Sequence, residues 1–549
     1  MGNLIKLHYL NNPSTDSLEE MPLGIGKLTS LRTMCKFVVG NEIGSGLRQL
    51  KSLIHLQGTL CNSRLENVKE VSDAKEAQLN GKGNLKDLLL EWNNSTSNIR
   101  EPETETRVLD LLKPHQSLKK LKINGYGGTK FPIWLGNSSM SNLVNLRIKD
   151  CSMCASLPSI GQLPFLKYLF IRRIARVKSV GSEIYGNGCS VPFPSLETLC
   201  FQDMQEWEEW IPRGSGKSNE GLADLRELSL VSCSKLQRTL SEYLPSLETL
   251  VIRKCKQLLA TLPSQSKTVT IMFCNALESL PEAWMRDTKP SLGSLQIFQC
   301  NSLTYIARIE LPTSLKRLKI VHLWHLYCGK TSSQPRLSAL QLNVARTLLF
   351  LSLSDNLPKA LKYLSLHGFS KLESIAERLE NTSLEEISIW SCENLKMIPD
   401  DLHKLQNLPR FGLGFCNNLI SFPRGGLPST KLNKVDINGS QKLEALPNGM
   451  YNLTSLQRLN LGYLPSVVSF PGDGFPANID SLVIRDMKIC RAHFEWGLHR
   501  FTSLKRLNIS RGCPDVVSFP QEEIGMTLPV SKSFAYCQFH KAGTPVFSC

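Results

Sequence analysis

The 549-residue sequence contains no run of about 18 apolar residues, so no helix in it is expected to cross a membrane. Its opening stretch, "MGNLIKLHYLNNPSTDSLEE", has neither a long apolar core nor a small-residue cleavage site, which argues against secretion. Lys6 stands where N-myristoylation after Met1-Gly2 needs Ser or Thr, and that modification is rejected. No G-x-S-x-G, H-E-x-x-H or kinase signature occurs, so enzymatic activity is not expected. Acidic residues are the scarcer charge: 48 Asp and Glu face 64 Lys and Arg, a net +16. That balance suits acidic partners, although cations spread over a large surface for solubility would give the same total. With 41% hydrophobic and 20% charged residues the chain is too apolar for disorder. Its 17 cysteines, without an export signal, read as reduced thiols and not as a disulfide framework.

What the chain has in abundance is self-similarity. "LKKLKINGY" at 118, "LVNLRIKDC" at 143, "LRELSLVSC" at 225, "LETLVIRKC" at 247, "LEEISIWSC" at 384 and "LQRLNLGYL" at 456 share one frame, L-x-x-L-x-L-x-x-(C/N). This is the mark of a leucine-rich repeat. Starts at 118, 143, 166, 196, 225, 247, 266, 292, 315, 337, 361, 384, 408, 432, 456, 479 and 504 give 17 copies, spaced about 24 residues apart. "LLFLSL" at 348 also fits the short pattern, but 337 spaces its neighbours more evenly.

The alternating part of each copy predicts a short strand with leucines inward and the intervening residues outward. One coil cannot bury its leucines alone. Stacked coils share a core and line up a parallel sheet, so the expected fold is an α/β leucine-rich-repeat solenoid, an arc or horseshoe with the sheet on its concave face and irregular loops and short helices on the convex one. The ninth position turns the chain inward. It is Cys at 151, 233, 255, 274, 300, 392 and 416, which predicts small buried packing residues. Proline-bearing stretches such as "SLPSIGQLP" and "ALPNGMYNLTSL" follow the turn and suit the convex side. Residues 1–117 repeat less cleanly, with short helices expected in "ENVKEVSDAKEAQL" and in "TRVLDLLKPH", the latter stopped by Pro114. The regular array spans 118–528, and 529–549 form an aberrant tail expected to be disordered. The array starts without an evident cap, which predicts a fragment or truncated product.

Three segments carry a more specific signal. "MPLGIGKLTSLRTMCKFVVGNEIGSGLRQLKSLIHLQGTL", "RLENVKEVSDAKEAQL" and "LLKPHQSLKKLKINGYGGTKFPIWLG" closely resemble the leucine-rich part of plant coiled-coil nucleotide-binding disease-resistance proteins, over about residues 1–528. The resemblance implies a recognition and regulatory module of a cytoplasmic immune receptor. Its implied partners are the nucleotide-binding switch domain and a pathogen effector or host guard protein. ADP or ATP is implied only for that switch domain, and no cofactor for this chain.

Other motifs are weaker. Gly216-Lys217-Ser218 ends like a phosphate loop, but Ile211 stands where the first glycine belongs and no strand leads directly into it, so a convex loop is expected. Cys151 and Cys154 lack a second pair of matching spacing, and His322, His325 and Cys328 lie on a turn, so no metal is expected. The sequons at Asn137, Asn381, Asn452 and Asn508 read as chance occurrences, with Asn508 on the concave face. On that face the first regular copies set out Lys119, Lys120, Lys122, Arg147, Lys149, Lys167, Arg172 and Arg173, opposed only by Asp150. They are candidates for an acidic-partner site, weighed against plain solvation. Phe298, Trp390, Phe415 and Tyr463 are candidate contact anchors, weighed against packing on neighbours.

The alternative function is a repeat adaptor or scaffold, such as one recognising ubiquitin-ligase substrates, which needs a helical recruiting domain. A cell-surface receptor needs a signal peptide and paired capping cysteines. A nucleic-acid binder needs a recognised module, and none is present.

Overall fold

The computed structural model describes residues 2–13, 15, 17–41, 44–93, 101–136, 140–186, 191–211, 222–237, 244–258, 266–277, 280, 291–300, 312–321, 357–369, 372–376, 378–379, 383–467, 474–485 and 501–509. They belong to two compact units, residues 1–276 and 277–549.

In the first unit, β1 (Tyr9–Leu10) and β2 (Thr33–Met34) form a two-stranded parallel pair. The main sheet runs through β3 (Lys36–Val38), β4 (Gly58–Ser63), β5 (Leu85–Glu91), β6 (Lys120–Asn124), β7 (Asn145–Lys149) and β8 (Tyr168–Arg172). A second small pair joins β9 (Ser179–Val180) to β11 (Glu209–Trp210), while β10 (Thr198–Gln202) continues the main sheet beside β8. β12 (Glu227–Val231), β13 (Thr249–Arg253) and β14 (Thr268–Met272) complete it, every pairing parallel. The second unit adds β15 (Ser294–Phe298), β16 (Arg317–Val321), β17 (Tyr363–His367), β18 (Glu386–Trp390) and β19 (Arg410–Gly414). β20 (Lys434–Asn438), β21 (Arg458–Gly462), β22 (Ser481–Arg485) and β23 (Arg506–Ile509) follow, again all parallel.

Sixteen of the 17 sequence frames thus yield a strand, each beginning two residues after the frame's first position. The frame at 337 lies outside the described residues. β16 and β17 pair directly, Arg317 with Tyr363. The second leucine is the strand's second residue and not its centre, but it faces the core as expected: Leu146 and Leu228 are fully buried and Leu459 is 1% exposed. Alternation explains this, because a pleated strand sends successive side chains to opposite faces.

The turn after the strand is made by position eight of the frame. Asp150, Arg173, Asp203, Ser232, Lys254, Phe273, Gln299, Ser391, Phe415 and Tyr463 all take left-handed φ values between 48° and 61°, and Gly125, Gly368 and Gly439 fill the same place. A side chain there costs roughly 1–2 kcal/mol. The strain recurs whatever the side chain, so it belongs to the architecture: it drives position nine into the core. There Cys233 Sγ donates to Val231 O at 3.6 Å and Cys392 Sγ to Trp390 O at 3.5 Å. All seven frame cysteines are buried.

The expected helices are present as α1 (Val71–Glu76) and α2 (Pro102–Leu111), the second beginning on a proline whose missing N–H has no intrahelical partner to lose. A third, α3 (Ser182–Tyr185), is a single turn. The segment 529–549 lies outside the described residues, as do Gly216-Lys217-Ser218, His322, His325, Cys328, Asn137 and Asn381.

Candidate functional site

The eight cations singled out from the sequence stand on the outward face of the first unit, but they are not opposed by Asp150 alone. Lys149 and Arg173 both bind Asp150, at 3.2 and 2.6 Å. Lys120 reaches Asp87 at 3.2 Å, Lys167 reaches Glu197 at 2.7 Å, and Arg172 reaches Asp203 at 3.1 Å. Arg147 lies 4.5 Å over the Phe170 ring, its neighbour on β8. Four acids therefore share the surface, and the expected excess of charge is much reduced. Three were missed because they sit on adjacent coils: Asp87 on β5, for one, faces Lys120 on β6. Among the described residues, Lys119 and Lys122 are left without an ion pair and are exposed.

Phe298, Trp390, Phe415 and Tyr463 lie on the outward side of the second unit. Phe298 has Lys319 Nζ 5.2 Å above its ring. The Trp390 indole N–H donates to Ser388 Oγ at 2.9 Å, with His367 on one side at 6.5 Å and Phe415 on the other at 6.3 Å. These three rings make a row, whereas Phe298 stands on β15, separated from it by β16. Phe415 is 42% exposed; Phe298, Trp390 and Tyr463 are half-buried.

A further surface escaped the sequence reading. The first outward position of β19, β20 and β21 carries Arg410, Lys434 and Arg458 in register. Arg410 binds Glu386 at 3.1 Å, but Lys434 and Arg458 are exposed without an ion pair among the described residues. Along the same strands follow Gly412, Asp436 and Asn460, then Gly414, Asn438 and Gly462. Asn460 Nδ2 donates to Asp436 Oδ1 at 2.9 Å and Asn438 Nδ2 donates to the same atom. Burial raises the Asp436 carboxyl against the opposing pull of those amides and of Lys434 and Arg485. The signal was there: "LPRFGLG", "LNKVDIN" and "LQRLNLG" place a cation at one fixed point of the frame.

The segments that carry the family resemblance do structural work. Glu105 of α2 accepts the Gly127 N–H at 2.5 Å, the Tyr126 hydroxyl donates to Lys130 O at 2.7 Å, and the Trp134 indole donates to Asp110 O at 3.1 Å. Arg48 binds Asp73 of α1 at 2.6 Å. Cys151 and Cys154 are buried, and burial pushes Cys154 up to about 12, which opposes the thiolate a metal would need. Among the described residues, no His, Cys, Asp or Glu group could hold a metal, and no helix is long and apolar enough to cross a membrane.

Residues 47–174, the stretch containing these clamps, match the family described as R13L1/DRL21 LRRs. The chain is a leucine-rich-repeat solenoid. Its relatives are plant disease-resistance proteins. It is 33% identical over 336 residues to disease resistance RPP13-like protein 1 of Arabidopsis thaliana, covering 57% of this chain and 31% of that protein. It is 36% identical over 298 residues to disease resistance protein RGA2 of Solanum bulbocastanum, covering 53% of this chain and 27% of that protein. The solenoid spans less than a third of the length of either relative. Among solved structures, a Leptospira interrogans LRR protein is similar with 16% identity and a TM-score of 0.37, over 84% of this chain and 92% of that one.

Proposed function

We propose that the solenoid is a non-enzymatic protein-recognition and regulatory module of a cytoplasmic plant immune receptor acting in defence. Its partners are the nucleotide-binding switch domain of the same receptor type and a pathogen effector or host guard protein. ADP or ATP belongs to that switch domain, and the repeats themselves need no cofactor.

The observation that carries this reading is the grid of outward side chains on in-register parallel strands, which sets cations on a face of the first unit and half-exposed aromatics on a face of the second. Such a face recognises proteins by many small contacts. Exposed charge pairs are each worth roughly 0–1 kcal/mol, so only clusters matter. The cations of the first unit form the switch-domain contact, with Lys119, Lys122 and Arg147 foremost because no carboxylate among the described residues pairs with them.

The test is association in trans with the nucleotide-binding domain of a disease-resistance protein at low salt. Reversing Lys119, Lys122 and Arg147 to Glu weakens association, and raising salt from 0.1 to 1 M does the same, as the Debye length falls from about 10 to about 3 Å. Unchanged association with the repeats still folded refutes the contact.

A further inference from the structure

We propose that the outward face of β19–β22 is a second docking site, for an acidic segment of a partner protein that also carries an apolar side chain. This deepens the recognition role proposed above and rests on it, but it concerns a different unit and different residues.

Charge complementarity selects the occupant. Lys434 and Arg458 are neighbours on β20 and β21, roughly 4.8 Å apart as strands pair. Both are exposed and, among the described residues, lack an ion partner. In the first unit the same row carries Lys120, which Asp87 of the adjacent strand answers. Lys434 pulls on the Asp436 carboxyl two residues along its strand, but no ion pair among the described residues engages either cation.

The floor beside the cations is made low by glycine. A Cβ built on Gly412 would meet the Trp390 indole and Ser388 Oγ at 3.5–3.8 Å, ordinary contact distances, so a methyl-sized group fits against that wall. Trp390, held by Ser388 and backed by His367, walls that space, and Phe415 extends it with a ring 42% exposed. Gly412, the floor, lies on β19, one strand across and two residues along from Lys434, the rail, on β20, a diagonal of roughly 7–8 Å. Residues i and i+2 of an extended segment have the same spacing, so one can set a carboxylate on the rail and the other an apolar group on the floor. Asp436 disfavours the other polyanion: a phosphate backbone lying across the floor meets its carboxylate, whereas an acid anchored at the rail does not.

The experiment is fluorescence anisotropy of the full chain with a labelled peptide repeating Glu-Ser-Leu-Ser. Its controls are a Lys-Ser-Leu-Ser peptide, an all-Ser-and-Glu peptide and an oligothymidylate of equal charge. The acidic peptide binds and the basic one does not. The double variant Lys434→Glu/Arg458→Glu loses at least about tenfold in affinity, since two attractions become repulsions. Gly412→Leu weakens the leucine-bearing peptide and leaves the all-Ser-and-Glu peptide unchanged. If the reversal variant does not fold, Lys434→Gln/Arg458→Gln gives the same direction with a smaller loss. Peptide affinity within twofold of wild type in the folded variants, or tighter binding of the oligothymidylate that the reversal abolishes, overturns the proposal. Either result leaves the trans association with the switch domain standing, because that test reads Lys119, Lys122 and Arg147.

Discussion

Trp390 lies across Gly414 of the next strand: a Cβ on that glycine would sit 2.3 Å from the indole Cζ3 and 3.0 Å from Asn438 O. The half-exposed tryptophan therefore keeps its place only because its neighbour has no side chain. Gly414→Ala should destabilise the fold by about 1–3 kcal/mol through overpacking. Gly412→Ala, where the nearest atoms stand 3.5 Å away or more, should stay within about 0.5 kcal/mol. Denaturant midpoints measure both, and most of the Gly414→Ala loss should vanish in a Trp390→Ala background, since the two residues are in contact. A loss independent of Trp390 places the constraint in the backbone instead.

The frame cysteines should resist chemistry until the solenoid opens. Cys233, Cys255 and Cys300 are buried, and the Cys255 thiol is pushed up by its hydrogen bond to Cys233 and by burial. Half-buried Cys200 is likewise pushed up, to about 11, by burial. Among the described cysteines, alkylation followed by peptide mass spectrometry should mark half-exposed Cys35 first. Cys233, Cys255 and Cys300 should react only with denaturant. Early labelling of those three in the folded chain contradicts the buried turn.

Lys82 ties two early coils together. Lys82 is 2% exposed, and its ammonium donates to Leu50 O at 2.7 Å and Leu53 O at 3.0 Å. Burial lowers its pKa from 10.5 to about 8. The unfolded chain therefore binds the extra proton between those values, so stability from this group rises as pH climbs from about 8 to 10.5 and is lost as pH falls through 8. Lys82→Met keeps the bulk but removes both donors, at a cost of about 1–3 kcal/mol. Melting curves at neutral and alkaline pH should show the rise in wild type, flattened in the variant.

His367 should stay neutral well into the acid range. Burial lowers its pKa from 6.5 to about 4, helped by Lys319, and its Nε2 lies 3.1 Å from Ser365 Oγ. With the folded value below the unfolded one, its contribution to stability is present above about 6.5 and is lost as pH falls through 4. Imidazole NMR signals at a pH near 5.5 should still report the neutral ring. A midpoint near the ordinary value of about 6.5 contradicts the packing against Trp390.

The core was legible from the frame alone. Leu143, Leu146 and Ile148 recur at fixed offsets because each coil repeats one burial pattern, and all three are fully buried. The inward cysteines were legible for the same reason, since one small residue recurs at one offset. The left-handed residue before them was not, because its place is filled by Asp, Ser, Lys, Phe and Gln alike. Only the backbone path identifies it.

Charge was the part that sequence could not apportion. Lys120 and Asp87 are 33 residues apart, and Arg172 and Asp203 are 31 apart. Their pairing depends on coil length and strand register, which a window around either residue does not contain. The sequence by itself determined the repeat, the parallel strands and which face of each strand is wet, because those follow from local alternation. Only the tertiary structure decided which cations are answered from within, leaving Lys434 and Arg458 open while Lys120 and Arg172 are closed. Neutralisation acts across a few ångströms of space, and stacking coils is what brings distant residues to that range.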